Sequence, residues 1–213
     1  MKLTIIYDNT ALKPDLTADW GFSCLIQSDD LPTILFDTGA NGNILISNME
    51  KLHIDPGDVE IVFISHNHFD HTGGLSAFLT VNNQVTIFVP QSLRGIRNVK
   101  EVVHVTDAMK ISENVYSTGE LENIEQSMAV KTDKGLVLVN GCSHPSMSNI
   151  LDKVSEFGKV YAVVGGFHGF SEFELFKDME LICPTHCTQQ KKEIESLYAD
   201  QVIEGGAGKI IEF

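Results

Sequence analysis

Ser65-His66-Asn67-His68-Phe69-Asp70-His71-Thr72-Gly73-Gly74 constrains this chain more than any other stretch. It puts four side chains with nitrogen or oxygen lone pairs inside six residues, directly after the apolar run at 60–65 and directly before a double glycine. With 8 histidines in 213 residues, an H-x-H-x-D-H spacing arises by chance with a probability on the order of 10⁻³. Residues two apart in an extended segment point to the same side, so His66 and His68 can reach one ion. Asp70 and His71 lie past the turn, where the chain has swung, and suit a second ion beside the first. Imidazole with carboxylate is a donor set for zinc, iron or manganese rather than for calcium or magnesium alone. The competing reading, a solvated histidine-rich loop, needs neither a buried strand before it nor two glycines after it.

Two ions need more ligands than this loop supplies. Three further histidines each follow an apolar, strand-like run through a few small residues. His144 follows GLVLVN in Gly141-Cys142-Ser143-His144-Pro145, His168 follows VYAVV in Gly165-Gly166-Phe167-His168, and His186 follows LIC in Pro184-Thr185-His186-Cys187. Strand C-terminal ends are where layered α/β folds gather their sites. One such histidine alone is ordinarily a turn or core residue; three in the same setting point to a shared centre. His53 and His104 lack that setting and read as structural. Asp37, in Phe36-Asp37-Thr38-Gly39, is a strand-end acid. It either accepts a hydrogen bond from the non-ligating nitrogen of a metal histidine or caps the turn before Gly39.

Alternating and fully apolar runs predict strands at 2–7, 22–27, 33–37, 60–65, 86–89, 101–106, 115–117, 128–131, 136–139, 160–164, 181–183 and 209–213. Helical spacing predicts helices at 41–53, 74–79, 147–157, 172–179 and 188–198. No repeat or low-complexity linker divides the chain, which reads as a single domain over residues 1–213. Apolar strands outnumber what one sheet face can absorb. The expectation is an α/β (α+β) layered domain, with sheets packed together and helices outside.

Composition narrows the function. A hydrophobic share of 43% excludes intrinsic disorder. No apolar run approaches the roughly 18 residues of a membrane span, and the stretch at 160–170 is interrupted by Gly165, Gly166, His168 and Gly169. Only Leu3–Ile6 precede Asp8 at the amino end, too short for an export signal, so a cytoplasmic location and no membrane partner are expected. The net charge is −14. With Arg94 and Arg97 as the only arginines, nucleic acid is not an expected partner. Cys24, Cys142, Cys183 and Cys187 are too few and scattered for a disulfide framework, and Cys183-x-x-x-Cys187 has no second pair to complete a structural zinc site.

At these residues the chain resembles the metallo-β-lactamase-fold superfamily, through FDTG at 36–39, SHNHFDHTGG at 65–74, the strand-end His144 and PTHC at 184–187. It is most similar to the subfamily of 7,8-dihydropterin-6-yl-methyl-4-(β-D-ribofuranosyl)aminobenzene 5′-phosphate synthase-like proteins. The matching segments are Tyr7-Asp8-Asn9-Thr10, Trp20-Gly21-Phe22-Ser23, NGCSHPSMSNI at 140–150, VVGGFHGF at 163–170 and CPTHCT at 183–188. The resemblance implies a four-layer αββα sandwich with a binuclear site at one edge. His66, His68 and His144 would hold the first ion; Asp70, His71 and His186 would hold the second. The wider superfamily bridges its ions with an aspartate between its third and last histidine motifs. Here that stretch offers Cys142, His144 and His168. A neutral imidazole has one lone pair and cannot bridge as a carboxylate does. His168 is then a ligand or a general acid/base at the rim, and Cys142 a thiolate ligand or a small buried residue.

A binuclear site with Asp70 and His168 in catalytic roles makes hydroxide available near neutral pH and clamps a phosphoryl or acyl group. The expected function is a metal-dependent hydrolase, or the diphosphate-displacing transferase of the synthase-like subfamily, acting on a small phosphorylated or pterin-like molecule. Trp20, Phe69 and Phe167 are candidates to line its pocket. Two divalent transition-metal ions are expected, zinc first, with iron or manganese as alternatives. The alternatives are a metal-dependent nuclease, which the acidity disfavours, and a di-iron redox or metal-binding protein.

Overall fold

Period-two alternation decides which way each strand faces, and it does so in two sheets at once. The computed structural model describes residues 1–213. Its first sheet has seven strands in the order β13 (Ile210–Glu212), β1 (Lys2–Tyr7), β2 (Ser23–Ser28), β3 (Leu31–Phe36), β4 (Ile61–Phe63), β5 (Thr86–Pro90), β6 (Glu101–Val105). The second has six, in the order β12 (Leu181–Thr185), β11 (Val160–Gly166), β10 (Gly135–Asn140), β9 (Met128–Thr132), β8 (Val115–Gly119), β7 (Asp107–Ser112).

Ile34, Phe36, Ile61 and Phe63 on β3 and β4 point to the space between the sheets, where they meet Val137, Val139 and Val164 of the second sheet in one cluster of 21 buried residues. The alternate residues Leu35 and Val62 face outward and are covered by Leu45 and Met49 of α1 (Gly42–Lys51) and Phe78 of α3 (Leu75–Val81). On the other side, Leu138 and Val163 are covered by Ile150 and Val154 of α4 (Met147–Ser155) and Ile194 of α5 (Lys191–Leu197). The one-turn α2 (Phe69–Thr72) lies in the histidine loop. The result is helix–sheet–sheet–helix, the αββα sandwich expected. No helix is long and apolar enough to cross a membrane.

Each sheet contains a parallel block: β3, β4, β5 and β6 in the first, β10, β11 and β12 in the second. The C-terminal ends of β3, β4, β10, β11 and β12 lead into Asp37, the 65–71 loop, the 142–144 turn, His168 and His186.

Besides the one-turn α2, two elements differ from expectation. The helix predicted at 172–179 is only a 3₁₀ turn, Phe173–Phe176. Tyr198 Oη donates to the Phe173 carbonyl and Gln201 Nε2 to the Met179 carbonyl, so side chains from elsewhere take backbone acceptors. Strand β7 has no counterpart among the predicted strands. It is a sheet edge whose residues are at most half-buried, and its signal is the pair Met109 and Ile111, which pack on the central core.

Candidate metal centre

Four of the strand ends turn through left-handed backbone, at Asp37 (φ 53°), Ser143 (φ 61°), His168 (φ 42°) and His186 (φ 42°). Such a conformation costs a non-glycine residue about 1–3 kcal/mol, and specific bonds hold three of them. Asp37 N donates to the Phe63 carbonyl at 2.8 Å, Ser143 N to Glu125 Oε1 at 3.0 Å, and His186 N to Asp8 Oδ1 at 2.7 Å. The double glycine has a steric role: a β-carbon on Gly73 would strike the Ala40 carbonyl oxygen, and one on Gly74 that of Thr38. The loop after β4 can therefore close onto the loop after β3.

Four imidazoles are then oriented in one sense by their Nδ1 partners. His71 Nδ1–H donates to Asp37 Oδ2 at 2.7 Å. His66 Nδ1 lies 2.9 Å from Ser65 Oγ, whose hydroxyl donates to Asp37 Oδ2 at 2.7 Å. His144 Nδ1 meets Glu125 Oε2 at 2.9 Å, and His186 Nδ1 meets Asn9 Oδ1 at 2.9 Å. Oxygen acceptors on Nδ1 select the tautomer whose Nε2 lone pair is free, the arrangement that outer-layer groups impose on metal-binding histidines. His68 is turned the other way, with Nδ1 3.1 Å from His66 Nε2.

The free atoms converge in two groups. Asp70, His71, Cys142 and His186 each offer a donor atom within 4.8 Å of the others, and so do His66, Cys142 and His144. His68 lies beside the second group, its ring centroid 4.5 Å from His66 and 4.7 Å from His144. His71 Nε2 is 3.2 Å from Cys142 Sγ, and His186 Nε2 is 3.2 Å from Asp70 Oδ2. His186 is 4% exposed, and its Nε2 is a buried nitrogen with no hydrogen-bond partner. Buried polar atoms are nearly always paired. An unpaired imidazole nitrogen facing a carboxylate and a thiol is what a divalent transition metal would satisfy, and the donor set fits one.

Burial keeps His66 and His71 neutral, each lowered to about 3, with the neighbouring histidines adding to the effect. Burial also pushes the Asp37 carboxyl up to about 7, against the pull of His66 and the Ser65 hydrogen bonds. Burial raises Asp70 and Glu125 as well, but their hydrogen bonds win. His186 holds Asp70, and His144 with two backbone N–H groups holds Glu125, well below the usual carboxylate range.

Of the residues singled out in the sequence, His66, His68, Asp70, His71, His144 and His186 come together, and Cys142 lies between the two groups. Asp37 sits behind His71 as an acceptor. His168 is exposed at the rim, its ring 5.2 Å from His144 and outside both groups. Trp20 is 58% exposed, with Nε1 donating to Asp70 Oδ2 at 2.8 Å and its ring 5.0 Å from His186. Phe69 is 72% exposed beside the loop. Phe167 is 1% exposed, its ring packed against Phe170 and Phe176 in the apolar layer under α4, and it also lines the groove beside His144 and His168. His104 is exposed and 2.9 Å from Arg94, away from both groups. The reading missed Glu125, Asn9 and Asp8. Asn9 and Asp8 lie in the Tyr7–Thr10 segment that carried the resemblance, whereas Glu125 has no local signal at all.

A groove of about 290 Å³ leads away from the centre, bordered by His144, Ser146, His168, Gly169 and Glu172.

The family model of the metallo-β-lactamase superfamily matches residues 19–114, which include Asp37 and the whole histidine loop. A solved metal-dependent hydrolase of the β-lactamase superfamily superposes with a TM-score of 0.80, covering 100% of this chain and 99% of that one at 24% identity. The chain is a metallo-β-lactamase-fold protein. Zinc-bound PqqB from Methylobacterium extorquens shares the fold, with a TM-score of 0.68 at 11% identity over 100% of both chains. In sequence, this metallo-β-lactamase-fold chain is 27% identical to the 7,8-dihydropterin-6-methyl-4-(β-D-ribofuranosyl)-aminobenzene-5′-phosphate synthase of Methanocaldococcus jannaschii, over 99% of this chain and 95% of that protein. That alignment runs over 282 positions against 213 residues here, so the relative carries insertions this chain lacks.

Trp20 is the chain's one tryptophan, and it is bonded to a candidate ligand. Its emission is expected to change in intensity or position when zinc or manganese is added to metal-free protein. The response should vanish in Asp70→Ala. A spectrum indifferent to metal would remove Asp70 from the centre.

Proposed function

We propose that this protein is a metal-dependent enzyme whose two-ion centre acts on a small phosphorylated or pterin-like molecule, as a hydrolase or as a transferase displacing diphosphate. The observation that carries it is the convergence of the free Nε2 atoms of His66, His71, His144 and His186 with Asp70 in two adjoining groups, one nitrogen being buried and unpaired. His66, His68 and His144 would hold one ion, and Asp70, His71 and His186 the other. When bound, such ions lower the pKa of a coordinated water and neutralise charge on phosphoryl or acyl oxygens. The zinc in PqqB supports zinc as the first candidate, and the named activity of the 27%-identical synthase supports the transferase form.

The chain's own groups have definite tasks. Asp70 stays ionised and offers negative charge beside His186. Asp37, Ser65, Glu125 and Asn9 hold the imidazoles so that no reorientation is needed as ligands bind. His168, exposed at the groove with its ring tilted 5.2 Å from that of His144, would carry a proton to or from a leaving group. The groove suits a small molecule, and the net charge of −14 opposes nucleic acid as substrate.

Elemental analysis tests this. About two transition-metal ions per chain are expected in the wild type and in His168→Ala, and about one in His144→Ala. On phosphodiester, thioester and lactam substrates, and on a dihydropterin diphosphate with an aromatic amine acceptor, His168→Ala should lose roughly 10²–10⁴-fold in turnover. Protein without transition metal ends the proposal. Unchanged turnover in His168→Ala ends the role of that residue.

A further inference from the structure

Cys142 is the one residue that belongs to both donor groups: its Sγ lies within 4.8 Å of the donor atoms of Asp70, His71 and His186, and also of those of His66 and His144. We propose that the Cys142 sulfur is the shared ligand of the two ions, a thiolate in the place where a carboxylate would otherwise link them. The inference rests on the two-ion reading above and adds to it which atom joins the ions and which metals the site selects.

Three observations converge on it. The sulfur is buried and 3.2 Å from the free Nε2 of His71, so it faces the centre rather than the core. The turn that carries it is held rigidly, because Glu125 accepts from the backbone N–H of Cys142 at 2.8 Å, Ser143 at 3.0 Å and His144 at 2.9 Å. One carboxylate therefore fixes the sulfur and the His144 ring together. Independently, the buried Nε2 of His186, which makes no well-formed hydrogen bond, points into the same group 3.2 Å from Asp70 Oδ2.

Chemistry separates sulfur from the other donors present. A neutral imidazole has a single lone pair, whereas a thiolate sulfur has several and can join two cations. On binding, the thiol proton passes to solvent as the metal–sulfur bonds form, and no electron is transferred. The bound sulfur brings one negative charge, as an aspartate would. It favours zinc, cobalt(II) and iron(II) over manganese and magnesium. Cys187 is close by, with Sγ 3.7 Å from the Cys142 carbonyl oxygen, but it belongs to neither group.

Cobalt(II) is the probe, added to metal-free protein under reducing conditions, with near-ultraviolet absorption and bound-metal analysis as readouts. The wild type is expected to bind two ions and to develop a sulfur-to-cobalt charge-transfer band that keeps changing up to the second equivalent. Cys142→Ser, nearly isosteric, should lose the band and fall to one tightly bound ion. Cys142→Asp should bind two ions again without the band, and should lose the preference for cobalt over manganese. Cys187→Ser should keep both band and stoichiometry. A band that survives in Cys142→Ser overturns the proposal, as does one that stops changing at the first equivalent. Two cobalt ions without a band overturn the shared sulfur alone, whereas a wild type that binds no cobalt overturns the two-ion reading itself.

Discussion

Replacing Glu125 with alanine is expected to lower the unfolding free energy by about 3–5 kcal/mol and the melting temperature by roughly 6–20 °C. Glu125 is 1% exposed and accepts four hydrogen bonds, three from the consecutive backbone N–H groups of residues 142–144 and one from His144 Nδ1. Alanine leaves those donors buried without acceptors, and each unsatisfied donor costs about 1–3 kcal/mol. The same change releases the turn that presents Cys142 and His144, so metal affinity should weaken by roughly 10–100-fold. Glu125→Gln separates the two effects. Its carbonyl oxygen can still serve Cys142 and Ser143, but its NH₂ faces the donors of His144, so stability returns in part while metal affinity does not. Urea melts and metal titrations of the three proteins decide the matter. A Glu125→Ala protein within 1 kcal/mol of wild type, with unchanged affinity, would refute it.

The metal-free protein is expected to lose stability as pH falls below 6.5, by about 1.4 kcal/mol per pH unit near pH 5 to 6. His66 and His71 are held at about 3 by burial, against about 6.5 in the unfolded chain. Between those values the unfolded chain binds two protons that the folded chain refuses. Their contribution is therefore complete above 6.5 and is lost as pH falls towards 3. Asp37, raised by burial to about 7 from 3.8, acts in the opposite sense, because the folded chain takes up its proton first as pH falls. One proton against two leaves a net uptake of about one on unfolding. Below about pH 4.5 the depressed carboxyls of Glu125 and Asp70 steepen the loss. Denaturant melts with chelator at pH 7 and pH 5 should differ by roughly 1.5 kcal/mol, because the net uptake reaches one proton only below about pH 6. Zinc at a hundredfold excess over its dissociation constant should add about 2.7 kcal/mol at pH 7, and less at pH 5, where protons compete for the same nitrogens. Equal stability at the two pH values in chelator would mean that these histidines are not buried as neutral groups.

Much of this architecture is legible along the chain because its signals are local. The strand leading into Ser65 is a short apolar run, the histidine loop is a dense spacing pattern, and the strand-end settings of His144, His168 and His186 repeat visibly. Phe167 shows what such reading leaves to packing. It adjoins His168 both in the sequence and in the lining of the groove, yet its ring turns into the apolar layer under α4.

The order of residues by itself determined the layered sheets, the site at the ends of their parallel strands and the imidazole and carboxylate donors, since each follows from periodicity or spacing over a few positions. Only the tertiary structure decided how those donors are aimed. Glu125 reaches His144 across 19 residues, Asp37 reaches His71 across 34, and Asn9 reaches His186 across 177. No local pattern encodes such pairings, because they depend on two sheets meeting at one edge. The same meeting sets Cys142 between the two groups of donor side chains, a position that its neighbours in the chain do not announce.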